Sequence, residues 1–129
     1  MSDTPVSRES LQQALADLFA PWVQALGLQV ESFGPGEATL RLPQSDALSR
    51  VGGMLCGQAM MAAADTAMVL ALISHFGAFR PCSTVQLSST FLKPRVLRAG
   101  KSMAFGEIDL RGADDGKSVF RASTTYALM

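Results

Sequence analysis

The spacing of apolar positions changes several times along the chain, and each change marks an element. Behind Ser7, residues Leu11, Leu15, Leu18, Phe19 and Trp22 recur at three- and four-residue intervals, the period of a helix with one buried side. Ser7 suits the cap and Glu9 the first turn, while Pro21 and Gly27 close the segment. The period then drops to two. Leu28–Phe33 and Glu37–Leu42 read as short strands joined by Gly34-Pro35-Gly36, and in the second Ala38, Leu40 and Leu42 alternate with Glu37, Thr39 and Arg41. Residues 43–53 read as a polar loop ending in glycine.

From about Leu55 to Phe76 the chain is rich in Ala, Met and Leu, with apolar residues on every side of the predicted helix. Such a helix needs enclosure by other structure. Ala59, Ala62, Ala63, Ala64, Ala67 and Ala71 would let a sheet come close, and Gly77 ends the helix. Three longer strands follow, roughly Ser83–Lys93, Lys101–Arg111 and Lys117–Leu128, the last two joined by a hairpin at Asp115-Gly116. The order is helix, hairpin, long buried helix and three-strand meander. It implies a single α+β domain over residues 1–129, an antiparallel sheet wrapped around one central helix.

Composition narrows the class. In 129 residues, 48% hydrophobic and 17% charged, disorder is excluded and one core of ordinary size is affordable. Eleven acids balance eleven bases, which leaves no global electrostatic case for nucleic acid. Cys56 and Cys82 are too few for a disulfide framework and lack the spacing of a zinc site. The N-terminal residues carry no signal-peptide pattern, and Asp65 makes the apolar segment a poor membrane span, so a soluble, cytoplasmic protein is expected. The neutrality hides an asymmetry, with seven acids and three bases in residues 1–79 against four and eight in 80–129. Lys93-Pro94-Arg95-Val96-Leu97-Arg98-Ala99-Gly100-Lys101 is the densest basic stretch, read either as a solvated loop or as an anion site for a phosphorylated ligand.

Asp65 most needs an explanation. A carboxylate among Ala62, Ala63, Ala64, Ala67 and Met68 is costly unless paired, so it is either bonded to backbone or arginine, or a general base or nucleophile lining a pocket. Gly52-Gly53-Met54-Leu55-Cys56-Gly57 leads into the same helix, whose first N–H groups are unpaired and suit an oxyanion. Cys56 and Asp65 are nine positions apart, about 13 Å along one helix and on opposite sides. If both act together, two subunits must lay these helices antiparallel and share sites, which predicts a homodimer. His75, the single histidine, lies roughly 28 Å from Cys56 along that helix, too far for a Cys–His pair. Met54, Met60, Met61 and Met68 suit an adaptable core.

Cys56-Gly57-Gln58 after a glycine loop, with Ala63-Ala64-Asp65-Thr66-Ala67, resembles the hotdog-fold thioesterases. The nearest branch is the phenylacetate-degradation (PaaI-like) acyl-CoA thioesterases. Thr84-Val85-Gln86-Leu87-Ser88-Ser89-Thr90-Phe91-Leu92-Lys93-Pro94 matches the family's strand ending in aromatic–Leu–x–Pro, and Gly100 and Asp115-Gly116 fall in the family's places. The likeness spans roughly residues 25–128. It implies hydrolysis of a medium-chain or aryl acyl-CoA, with no cofactor beyond the coenzyme A of the substrate, no metal, and a homodimer that pairs into a tetramer. By the same resemblance, the Gly57 N–H polarises the thioester carbonyl, Asp65 of the other subunit activates water or attacks directly, and Thr84 helps place the water. Lys93, Arg95 and Arg98, with Lys101 beside them, would hold the phosphates, and Met61 and Met68 would line the acyl tunnel.

Two departures stand out. The family begins its helix His-Gly-Gly, where this chain has Cys56-Gly57-Gln58, and the family's water-positioning asparagine falls near Arg50, with Gln58 as another source of an amide. The substitution at Cys56 keeps a second reading open, a non-catalytic acyl-CoA or acyl-carrier-protein binder on the same fold. A hydratase of this fold would need a catalytic histidine, and His75 is badly placed for it.

Overall fold

The computed structural model describes residues 5–43, 45–89, 95–99, 103–111 and 118–128. Lys93, Lys101 and the expected Asp115-Gly116 hairpin lie outside these residues.

Helix α1 covers Arg8–Asp17, and its start is a reciprocal cap: Ser10 N–H donates to Ser7 Oγ at 3.0 Å, and Ser7 N–H to Ser10 Oγ at 2.8 Å. Leu11 and Leu15 turn inward from it. Gln12 ties α1 to the first strand, donating to the Leu28 carbonyl at 3.1 Å and accepting from Val30 N–H at 2.9 Å. A one-turn helix α2, Pro21–Gln24, opens on proline, whose missing N–H costs nothing there. Strands β1 (Gln29–Gly34) and β2 (Glu37–Arg41) form the expected hairpin, with Pro35 and then Gly36 at φ 73° between them, the order of a type II turn.

The loop expected over residues 43–53 holds more order than its polarity suggests. A 3₁₀ turn at Asp46–Leu48 precedes β3 (Ser49–Arg50), which pairs with β4 (Met54–Leu55) around Val51–Gly53. Gly52 and Gly53 both have positive φ, so the reversal depends on glycine. Helix α3 then runs from Gly57 to Phe76 and stops at Gly77, whose φ of 81° and N–H bond to the Ile73 carbonyl make the left-handed cap.

The remaining strands are β5 (Cys82–Ser89), β6 (Arg95–Ala99), β7 (Met103–Arg111) and β8 (Ser118–Leu128). All pairings in the main sheet are antiparallel, in the order β1-β2-β6-β7-β8-β5. Two expectations are corrected here. The basic stretch is not all loop, because residues 95–99 bridge β2 to β7 as a strand. A bulge between Val96 and Arg98 breaks the two-residue alternation that would have revealed it. The three-strand meander is also rearranged: β6, β7 and β8 are neighbours, and β5 lies beyond β8 at the sheet edge.

Helix α3 contributes to two cores. Ala59, Ala63, Leu70 and Ile73 join Leu11, Leu15, Leu26, Leu28, Val30 and Ala38 in one cluster. Ala64, Met68 and Leu72 join Ile108, Ala122, Tyr126 and Leu128 in the other. Among the described helices α3 alone is long and apolar enough to cross a membrane, and its burial identifies it as the core helix instead. Enclosure is incomplete, however. Gln58, Met61, Ala62, Asp65 and Val69 are exposed or half-buried, and their spacing puts them on one stripe over the first turns of α3.

Candidate functional site

Asp65 is half-buried on that open stripe, and two hydroxyls from the sheet meet one of its oxygens. Thr84 Oγ1 donates to Oδ1 at 2.7 Å, and the Tyr126 hydroxyl lies 2.6 Å from the same Oδ1 and 2.6 Å from the Asp65 carbonyl oxygen. The carboxylate is thus bonded to neither an arginine nor a backbone N–H among the described residues. Thr84 and Tyr126 are register partners on β5 and β8, so one rung of the sheet supplies both hydroxyls.

A bulge between Thr84 and Gln86 shapes that rung. Val85 is the extra residue, 58% exposed, and it changes the parity of the strand: Cys82 and Thr84 belong to one alternation and Leu87, packed against the second core, to the next. The Gln86 carbonyl beside the bulge accepts from Thr124 Oγ1 at 3.0 Å. On β8, Ala122, Thr124, Tyr126 and Leu128 are buried at two-residue intervals. Burial, and after it the Asp65 charge, push the Tyr126 phenol far above its usual range, so it stays a donor at any physiological pH. The Cys82 thiol is raised by the same two causes in the same order, which leaves it a weak nucleophile.

The second feature is the start of α3. Gly57 opens the first turn, where no intrahelical carbonyl is available to its N–H. Its φ is not positive, and a Cβ built on it would meet nothing within 4 Å. The fold of one chain therefore does not require glycine at this position. Cys56 sits at the N-cap without a side-chain capping bond, is half-buried against the first core, and donates its own N–H to the Leu48 carbonyl at 2.8 Å. Gly57 and Asp65 lie on the same helix, eight residues or about 12 Å apart along its axis, so a single chain does not bring them onto one atom.

The other anticipated residues separate. Gln58 and Met61 are exposed on the stripe that carries Asp65, and Met68 is fully buried in the cluster that contains Tyr126. Arg50 is exposed on β3, where its guanidinium donates to the Val51 carbonyl at 3.3 Å. Arg95 and Arg98 stand on β6, and Arg95 is in register with Glu37 on one side and Glu107 on the other. Tyr126 was not anticipated. The signal available was a tyrosine on the inward parity of a long strand, which needs a polar partner when buried.

Solved structures share this architecture over nearly the whole chain. A conserved protein of Pseudomonas aeruginosa is 28% identical, with a TM-score of 0.77 over 87% of this chain and 96% of its own. A thioesterase candidate from a Silicibacter species is 25% identical, with a TM-score of 0.83 over 98% of this chain and 94% of its own. Zebrafish thioesterase superfamily member 2 aligns at 21% identity and a TM-score of 0.82, over 96% and 99% of the two chains. This chain has the hotdog fold that these solved structures share. No protein-family model matches it, and no curated protein sequence does. In this hotdog protein the central helix carries both candidate features, the Gly57 N–H at its start and the Asp65 carboxylate two turns further on. Among the described residues no three His, Cys, Asp or Glu side chains gather as a metal site would need.

Proposed function

We propose that this protein is an acyl-CoA thioesterase working as a homodimer, with a medium-chain or aryl acyl-CoA as substrate. The observation that carries the reading is Asp65: a half-buried carboxylate on an open helical stripe, with both neighbouring hydroxyls on Oδ1. In this reading Oδ2 takes a proton from water, or attacks directly, and the oxygen nucleophile adds to the thioester carbon. The developing oxyanion is met by the N–H of Gly57 of the partner subunit, and collapse of the adduct expels the coenzyme A thiolate. Water supplies the acid oxygen and the two protons that end on the products, either in the first addition or, after direct attack, by hydrolysing the acyl anhydride on Asp65 and restoring its carboxylate. Thr84 Oγ1, having donated to Asp65, keeps lone pairs that can accept from the attacking water.

Distance supports the dimer. Two antiparallel α3 helices facing along their open stripes would bring each Asp65 beside the opposite Gly57, and a pair of such dimers is the expected tetramer. Lys93 and Arg98 are the candidates for the phosphates, with Arg95 closer to acidic neighbours in the sheet. Met61, exposed on the stripe, would line the acyl site, and Met68 would act from the core behind it. Arg50 and Gln58 are the polar groups nearest the helix start in sequence. The enzyme would be cytoplasmic and need no cofactor.

A second reading is favoured by Cys56. Its half-buried side chain packs with the first core, so the helix start carries no imidazole. A non-catalytic acyl-CoA or acyl-carrier-protein binder would look the same there. Incubating the purified protein with acetyl, hexanoyl, dodecanoyl, benzoyl and phenylacetyl-CoA, and following free coenzyme A by chromatography, separates the two. Turnover of at least one substrate supports the hydrolase. Tight binding without turnover supports the binder.

A further inference from the structure

We propose that Tyr126 is a positioning residue that acts through Asp65 and determines which of the two carboxylate oxygens is left to react. The inference rests on the thioesterase reading and deepens it. Tyr126 is the single tyrosine of the chain and is 2% exposed, with its hydroxyl 2.6 Å from Asp65 Oδ1. Thr84 Oγ1 reaches the same oxygen at 2.7 Å. No described residue donates to Oδ2.

That asymmetry has a mechanical meaning. The terminal torsion of an aspartate is soft and nearly two-fold, so an unrestrained carboxylate exchanges its oxygens freely. Two donors on one oxygen remove that exchange. Tyr126 does so from the core, as part of the buried cluster to which α3 contributes Ala64, Met68 and Leu72, and it has little room to move. The same hydroxyl lies 2.6 Å from the Asp65 carbonyl oxygen, so the phenol registers the backbone and side chain of Asp65 against each other. Thr84 is less firmly held, on an exposed edge strand next to a bulge. The rigid member of the pair is the tyrosine. The groups facing its hydroxyl are Asp65 from α3 and Thr84 from β5, with Cys82 of β5 close enough to influence it. The phenol, kept protonated by burial and by the Asp65 charge, fits a hydroxyl that always donates to a neighbouring anion.

Two measurements test it together. Tyr126→Phe keeps the ring and removes the donor, and it should lower kcat by about tenfold to a hundredfold while KM stays within about twofold. In the Asp65→Asn background the same change should alter the residual turnover by less than about twofold, because a residue acting through Asp65 has nothing left to position. Independently, the near-ultraviolet absorbance of phenolate reports Tyr126 alone, and its alkaline midpoint should move down in Asp65→Asn. That titration needs no substrate and stands even if Tyr126→Phe fails to fold. Full turnover in Tyr126→Phe, an equal loss in both backgrounds, or identical phenol midpoints would each overturn the proposal. A wild type inert toward every acyl-CoA would overturn the thioesterase reading and the positioning role with it, while the titration would still tell whether the bond exists.

Discussion

The two cores flanking α3 are made differently. The first, built on α1, β1 and β2, has among the described residues only aliphatic ones in its buried cluster: Leu11, Leu15, Leu26, Leu28, Val30, Ala38, Ala59, Ala63, Leu70 and Ile73. The second, against β5, β7 and β8, takes in Tyr126, with Thr124 buried nearby on the same strand. Each of these two hydroxyls is used, Thr124 on the Gln86 carbonyl at the bulge and Tyr126 on Asp65. An apolar core can tolerate exchange among side chains of similar volume. A core with buried donors fixes geometry, because each donor has one acceptable partner position. The first core holds α3 in place, and the second sets the angle at which its carboxylate is presented.

Breaking the first core should cost the most stability and the least chemistry. Leu11 is fully buried, so Leu11→Ala should destabilise by about 2–5 kcal/mol, read as a lowered denaturant midpoint. Turnover per folded molecule should not change, since the two hydroxyls that bond the Asp65 carboxylate, Thr84 and Tyr126, lie outside that cluster. A specific loss of activity in the folded fraction would mean that the two cores are not separable.

The second core should show itself in the pH dependence of stability. The Tyr126 phenol is held protonated by the fold, so its folded value lies above the unfolded value of about 10. Below that pH both states keep the proton and the contribution is complete; above it the unfolded chain releases the proton first, and stability falls as pH rises. Denaturant midpoints should therefore decline above about pH 10, and Tyr126→Phe should lack that part of the decline. Equal slopes in the two proteins would contradict the burial of this phenol.

Gly57→Ala sharpens the comparison with the smallest effect on the fold. With open space around the position and no positive φ, the added methyl should change stability by less than about 1 kcal/mol, in the stabilising direction. In the proposed composite site the same methyl would enter the gap where the carbonyl oxygen of the substrate would sit. Turnover should fall by about tenfold or more, the scale of a weakened oxyanion contact. A variant as active as wild type would remove Gly57 from the site.

Much of this was legible from residue patterns. The central helix, its glycine stop at Gly77 and the first hairpin follow from composition and period, because long apolar runs and Pro-Gly turns are strong local signals. Asp65 was legible because a carboxylate in an alanine-rich helix needs a reason. The strand over Arg95–Ala99 was not, since its charges suggested solvent and the bulge at Leu97 hid its alternation. The open stripe on α3 was not either: with Met61, Ala62 and Val69 in it, its composition looks like core, and only the packing reveals that Met61 stays exposed and that Ala62, Asp65 and Val69 are no more than half-buried. Tyr126 lies 61 residues from Asp65. Nothing local joins them, and the contact depends on a register that places Tyr126 opposite Thr84 at a bulge.

The central claim is that the Asp65 carboxylate, held on Oδ1 and met by no described donor on Oδ2, performs the chemistry. The most direct test compares turnover of the best acyl-CoA substrate by wild type and Asp65→Asn at equal concentrations of folded protein. The amide is isosteric, so the fold should persist, and turnover should drop by about a hundredfold or more. An Asp65→Asn protein that hydrolyses the substrate at the wild-type rate would contradict the account.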